Sequence, residues 1–158
     1  MANPQHPAVT RVLAELEGHG LHPEVTWFDD ATTTAKDAAT ALGIEVGQIA
    51  NSLVFTLDDE PILVLTSGAH RVDTEWLGAQ LGGAIGRASK EMVKEATGQV
   101  IGGVAPVGHP APVRTFVDTA LRNYSTVWAA AGHPKTVIPM TYDQLLAVTA
   151  GTPTAVRA

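Results

Sequence analysis

Five glycines and prolines between residues 102 and 110 form the stretch of this chain whose residue types best suit a reaction at a carbonyl. Glycine permits close approach of a ligand to the backbone and proline fixes the chain. Exposed amides in the Gly102-Gly103-Val104-Ala105 run that Pro106 ends could therefore hold a carbonyl oxygen or the oxyanion it becomes. The same spacing also suits an ordinary connection between two strands. Other candidates for chemistry are weaker. The six histidines (His6, His19, His22, His70, His109, His133) have no paired helical spacing, so no metal site is expected. The chain has no cysteine, which excludes a thiol nucleophile, a thiolate zinc site and a disulfide scaffold. Ser67 precedes Gly68 without a G-x-S-x-G elbow and reads as a turn. Gly82-Gly83-Ala84-Ile85-Gly86 follows a helical pattern and lacks dinucleotide spacing, so no nucleotide cofactor is implied.

The elements that would position these residues follow from periodicity. Val9, Val12, Leu13 and Leu16 predict an amphipathic helix over residues 8 to 17, stopped by Gly18 and Gly20. An extended stretch is expected at 25 to 28. Thr34 then caps an alanine-rich helix, answered by Asp37 and ended by Gly43. Residues 48 to 57 and 61 to 66 read as neighbouring antiparallel strands, with Asp58-Asp59-Glu60 as the hairpin break. Asp73 caps a helix carrying Trp76, Leu77 and Leu81, and Ser89 caps another through Thr97, with Gly98 past its end. Residues 99 to 118 read as a strand beginning Gln99-Val100-Ile101, a Gly/Pro-rich loop, and a strand at 113 to 117. Strands near 126 to 130 and 135 to 139 follow, and Thr141 with Gln144 makes a capping box for a last helix. Helices interrupting short, mostly local strands predict one α+β domain spanning residues 1–158.

Length and charge narrow the function classes. The 158 residues suit one core, and 45% apolar against 16% charged residues excludes a disordered chain. The formal charge of -6 argues against binding nucleic acid by bulk charge alone, and no DNA partner is expected. The charge is uneven: residues 1–60 hold 2 basic and 10 acidic side chains, whereas residues 61–158 hold 8 and 6. The second part could present a modest basic surface, although interspersed surface charge is the preferred explanation. No apolar run approaches the roughly 18 residues that span a bilayer. No signal peptide opens the chain, so a soluble, unprocessed, cytoplasmic protein without a membrane partner is expected.

Several segments in order carry a family resemblance. They are Thr34-Ala35-Lys36-Asp37-Ala38-Ala39 with Leu42-Gly43, Gly47-Gln48-Ile49-Ala50-Asn51-Ser52-Leu53-Val54-Phe55, the apolar run 62 to 65, Ile85-Gly86-Arg87-Ala88, and Thr97-Gly98-Gln99-Val100-Ile101-Gly102-Gly103-Val104-Ala105-Pro106-Val107-Gly108. Together they resemble the YbaK/ProX family of free-standing aminoacyl-tRNA deacylases, related to the editing domain inserted in bacterial prolyl-tRNA synthetases. The resemblance implies a mixed, barrel-like β-sheet flanked by helices. It also implies hydrolysis of the ester joining a small, wrongly attached amino acid to the 3′ end of tRNA, since a synthetase pocket discriminates poorly among small side chains. Gly102 to Pro106 fits the family's G-x-x-x-P loop, which holds the substrate near its carbonyl, while the terminal ribose hydroxyl helps to activate water. No metal, cofactor or protein nucleophile is then required. The implied partners are an aminoacyl-tRNA, in the first place that for proline, and an aminoacyl-tRNA synthetase.

The implied site joins Asn51 and Gly102 as catalytic positions to Phe28, Thr34, Ser52, Gly103, Pro106, Ala130 and His133 as substrate contacts. His133, between Gly132 and Pro134, is expected near the pocket mouth. Ala130-Ala131-Gly132 stands where cysteinyl-specific members tend to show Ser-Ala-Gly. Family members usually place Lys at position 51, in I-x-K-[ST]-L. Asn51 keeps a hydrogen-bond donor but loses a cation and about two atoms of reach. A charge-assisted bond of about 1.5 to 3 kcal/mol corresponds to a rate loss of roughly tenfold to a hundredfold. Lys36 is the nearest basic residue in sequence. The alternative function is a non-catalytic module of the same fold that binds tRNA or a synthetase.

Overall fold

The computed structural model of this chain describes residues 6–29 and 34–157. Helix α1 (Pro7–Gly18) buries Val9, Val12 and Leu16 completely, as their spacing along one face requires. After β1 (Thr26–Trp27), α2 (Ala35–Leu42) starts at Thr34, whose Oγ1 accepts the Asp37 amide at 3.1 Å. Strands β2 (Ala50–Leu57) and β3 (Glu60–Ser67) form an antiparallel hairpin. Its two turn residues, Asp58 and Asp59, have φ of 49° and 71°, the mirror-image turn that matches strand twist. Helix α3 (Thr74–Leu81) is capped by Asp73, and α4 (Lys90–Thr97) by Ser89, with β4 (Ile85–Arg87) between them. The chain then runs through β5 (Arg114–Asp118), β6 (Val127–Ala129) and β7 (Thr136–Met140). It ends in α5 (Tyr142–Thr149), opened by the reciprocal Thr141 and Gln144 box, and β8 (Thr152–Thr154).

The strands make a five-stranded sheet in the order β4-β2-β3-β5-β8 and a three-stranded sheet in the order β1-β7-β6. The larger sheet is mixed: β2 runs antiparallel to β3 and β4, whereas β5 runs parallel to β3 and β8. Central β3 is covered on both faces. Leu63 and Leu65 join a core built with α1, α5, β6 and β7, while Ile62 and Val64 join a second one under α3. A third cluster packs Ala38 and Ala39 of α2 on Ile49 and Trp128. Among the described residues the two sheets are linked through an isolated bridge between Ile49 and Trp128. The architecture is the expected α+β domain with a mixed sheet and flanking helices, divided into two sheets rather than closed as a barrel.

Three local features differ from expectation. Gln99-Val100-Ile101 is a turn, not a strand, because Gln99 is buried and the two apolar residues are exposed. The segment at 85–87 and the tail at 152–154 pair as edge strands that periodicity did not reveal. Pairing is also less local than expected. Parallel β3 and β5 match Leu63 with Thr115, a crossover that contains α3, β4 and α4.

The end of β3 is fixed by Asp118, which is 1% exposed. Its Oδ2 accepts the Ser67 amide at 2.9 Å and lies 3.0 Å from His70 Nδ1, which must donate because a carboxylate only accepts. Thr66 Oγ1 donates to the same oxygen, and Oδ1 accepts the Ala120 amide that starts a short 3-10 helix. Ser67 Oγ donates to Gly47 O at 2.9 Å, so this buried serine is a strut and not a nucleophile. Asp118→Ala would strand these donors. The expected loss is about 3 kcal/mol, or roughly 6–12 °C in Tm, measured by thermal unfolding.

Candidate functional site

A cleft of about 180 Å³ opens at the seam between the two sheets. Asn51 and Ser52 of β2 form one side, Thr34 and Ala38 another, and Gly102 and Val104 a third. Trp128, Ala130, Thr136 and Val137 close it from the smaller sheet. Drug-sized ligands occupy pockets of about 300–1,000 Å³, so this volume suits a small acyl group. Among the described residues no charged side chain lines the cleft. Lys36 is exposed on α2 and contributes nothing to the wall.

The 98–110 loop is built around the Gln99 side chain, which is 2% exposed. Its Oε1 accepts the Ala105 amide at 2.8 Å and its Nε2 donates to Val107 O at 3.2 Å. Thr97 Oγ1 in turn accepts the Gln99 amide and donates to Val93 O at 2.7 Å, which ties the loop to α4. His109 Nε2 lies 2.9 Å from Ala105 O and donates to it, and the Gly108 amide donates to Glu15 Oε1 of α1. Loop atoms are thereby held from four directions by side chains that never enter the cleft.

The glycines of the loop serve different purposes. Gly102 has φ of 91°, a conformation that side chains disfavour, and it lines the cleft. Gly103 is required by close approach: a Cβ there would stand 2.7 Å from His133 C and Pro134 N. Its amide donates to Val100 O at 3.0 Å. Among the described residues the Gly102 and Val104 amides have no acceptor, and both residues line the cleft. Gly103 thus holds the turn, and the amides on either side of it, Gly102 and Val104, are left without a partner among the described residues.

Of the expected site residues, Asn51, Gly102, Thr34, Ser52 and Ala130 share this cleft. Ser52 Oγ is buried and has no partner among the described residues. Phe28 is half-buried outside the cleft, with its amide donating to Lys135 O at 2.7 Å. Pro106 is buried behind the loop. His133 lines a neighbouring hollow rather than this cleft, its ring 4.9 Å from that of His6 and 5.3 Å from that of Trp27. Its backbone carbonyl accepts from Thr136 Oγ1, which also accepts the Ala131 amide and so sets the turn beneath the cleft. Sequence reasoning missed Val104, Trp128, Thr136 and Val137. Val104 was legible as the third residue of G-x-x-x-P, whereas the other three reach the cleft only through the pairing of β6 with β7.

The aminoacyl-tRNA editing domain family matches residues 29–148. The chain belongs to this family. This editing domain is 31% identical over 123 residues to the uncharacterized protein YwhH of Bacillus subtilis, spanning 77% of this chain and 78% of that one. It is 35% identical over 101 residues to the proline--tRNA ligase of Maridesulfovibrio salexigens, spanning 63% of this chain and 17% of the ligase. A solved structure described as a proposed trans-editing enzyme for prolyl tRNA synthetase superposes with a TM-score of 0.90 at 40% identity. That match covers 97% of this chain and 98% of the other. No helix among the described residues is long and apolar enough to cross a membrane.

Two glycine substitutions in the loop of this editing domain should differ in their cost. Gly103→Ala would push backbone against backbone and cost about 1–3 kcal/mol by overpacking. Gly102→Ala meets only Pro134, at 3.9 Å, and is penalised chiefly in conformation. Gly103→Ala therefore lowers Tm further, read by thermal unfolding of both variants. Burial lowers the His109 pKa below 6.5, partly offset by the Ala105 carbonyl and then by Glu15. A lowered histidine pKa means that the unfolded chain binds more protons, so this contribution is complete above pH 6.5 and is lost as pH falls toward the folded value. The difference in Tm between the wild-type protein and His109→Gln should shrink as pH is lowered through this range.

Proposed function

We propose that this editing domain hydrolyses the ester between a small amino acid and the 3′ end of a tRNA. The observation that carries the reading is the small neutral cleft with two unpaired amides, Gly102 and Val104, inside the family's G-x-x-x-P loop. Water adds to the ester carbonyl, and its oxygen becomes an oxyanion between these amides. The bond to the ribose oxygen then breaks, that oxygen takes a proton, and the free amino acid leaves. One fixed donor of this type contributes about 2.7–4 kcal/mol to such a step. Activation of water is assigned to the neighbouring ribose hydroxyl, with Asn51 and Ser52 as polar contacts. The apolar side formed by Ala38, Trp128 and Val137 favours a short aliphatic acyl group. The similarity to prolyl-tRNA synthetases supports tRNA for proline as the carrier and a synthetase as a partner, acting in the cytoplasm where charged tRNA is used.

Asn51 favours a second reading, a binding module that has lost turnover, because it stands where the family usually carries Lys. Incubation with tRNAs charged with Ala, Cys, Ser or Thr distinguishes the two. Release of at least one amino acid above the buffer rate is expected; binding without release at high protein concentration would establish the module instead. On the enzyme reading, Asn51→Lys raises the single-turnover rate roughly ten to a hundredfold, the value of one charge-assisted contact. Asn51→Ala lowers it if the amide orients water or ester. Tm should change little in either variant, since a Lys stem can lie along the cleft with its ammonium in water.

A further inference from the structure

A second hollow, of about 400 Å³, adjoins the cleft across the contact between Gly103 and the His133 and Pro134 backbone. Among the described residues its wall carries Lys94, Lys135, His6 and His133 and no carboxylate, in a chain whose formal charge is -6. Among the described residues neither lysine has a carboxylate within 4 Å. His6 Nδ1 is buried without a hydrogen-bond partner among the described residues. His133 Nδ1 accepts the Lys135 amide at 3.0 Å, which leaves Nε2 as the donor of that ring. Burial lowers the His133 pKa, and the charges of His6 and Lys135 lower it further. The missing component is an anion with several acceptor oxygens.

The same loop lines both cavities. Ile101 and Gly102 face the cleft, and Gln99 and Val100 face the hollow. One residue separates Val100 from Gly102, so their Cα atoms lie at most ~7 Å apart. Beside the cavities stand Val100 and Ile101, 48% and 56% exposed, the large apolar side chains left in water among the described residues, where they also line a shallow hollow with Lys90, Glu91, Lys94 and Glu95 of α4. A small-acyl cleft, an exposed apolar pair and a cationic hollow thus share one short stretch of the loop. We propose that the cationic hollow binds a backbone phosphate of the RNA strand whose esterified 3′ end occupies the cleft, with the apolar pair covered by a base. This rests on the reading of the substrate as an aminoacyl-tRNA. It makes Lys94 and Lys135 affinity determinants that touch neither the ester nor the attacking water.

The test is the Lys94→Gln, Lys135→Gln double variant, in which side-chain length is nearly kept and the bond from Lys94 Nζ to Gly98 O can be replaced by the amide. Its KM for aminoacyl-tRNA should rise about tenfold with kcat within twofold of wild type. The slope of log(kcat/KM) against log[salt] should become shallower by about 0.7 for each phosphate that the variant no longer neutralises. The aminoacyl ester of adenosine, which has no phosphate, should be hydrolysed equally by both proteins. Binding of labelled uncharged tRNA, followed by fluorescence anisotropy, tests the hollow without turnover: a tenfold weaker Kd in the variant supports it even if no ester is cleaved, an outcome that would sink the hydrolase alone. Recovery of affinity in Lys94→Arg, Lys135→Arg shows that charge, not packing, is responsible. Equal affinity and salt slope in wild type and the Gln variant would overturn the proposal. So would shifts of the Gly132 and Lys135 amide resonances with inorganic phosphate alongside unchanged tRNA affinity, which would assign the hollow to a free anion.

Discussion

Strand β3 has apolar cover on both faces, and most of the architecture answers that condition. A strand with Leu63 and Leu65 on one side and Ile62 and Val64 on the other cannot tolerate water on either. Helix α3 covers one face. The other face needs more material than one helix supplies, and it receives α1, α5 and the whole smaller sheet. Because that sheet runs on its own register, the two sheets meet at the Ile49 and Trp128 bridge rather than along a continuous ladder. The cleft is the space that this incomplete join leaves, and α2 approaches closely enough to wall it because Ala35 and Ala38 are small.

A reaction that relies on backbone dipoles needs them fixed before the substrate arrives, since dipoles that reorient during the reaction lose much of their advantage. The 98–110 loop meets this need without regular secondary structure. Gln99 substitutes for a strand partner by satisfying one donor and one acceptor from within the core. Thr97, His109 and Glu15 attach the same loop to α4 and α1.

Helix caps, the hairpin and the apolar faces were legible because each depends on neighbours within a few residues. Thr34, Asp73, Ser89 and Thr141 all accept the amides that their positions imply. The family resemblance likewise directed attention to Asn51 and Gly102, which the fold brings to one cleft. The misreadings share a cause in long-range packing. Gln99 is polar yet buried, since its amide replaces two backbone partners, and Val100 and Ile101 are apolar yet exposed, since the turn leaves them nowhere to go. Gly103 faces the 133–134 backbone instead of the cleft, a contact between segments 30 residues apart that no local pattern encodes. His133 follows the same turn outward into the hollow.

The margins of the larger sheet bear on how the protein behaves at high concentration. Both outer strands, β4 and β8, are three residues long. One contains Gly86 and ends in Arg87, and the other carries Pro153, which has no amide to offer a neighbour. A foreign strand would find a ladder too short and too interrupted to extend. The long, strongly apolar β3, which could template intermolecular stacking if bared, lies two strands in from the β4 margin and two from the β8 margin. Solubility and the route to aggregation are thus governed by the integrity of the whole sheet: fibril-type association would have to wait for β2 or β5 to detach.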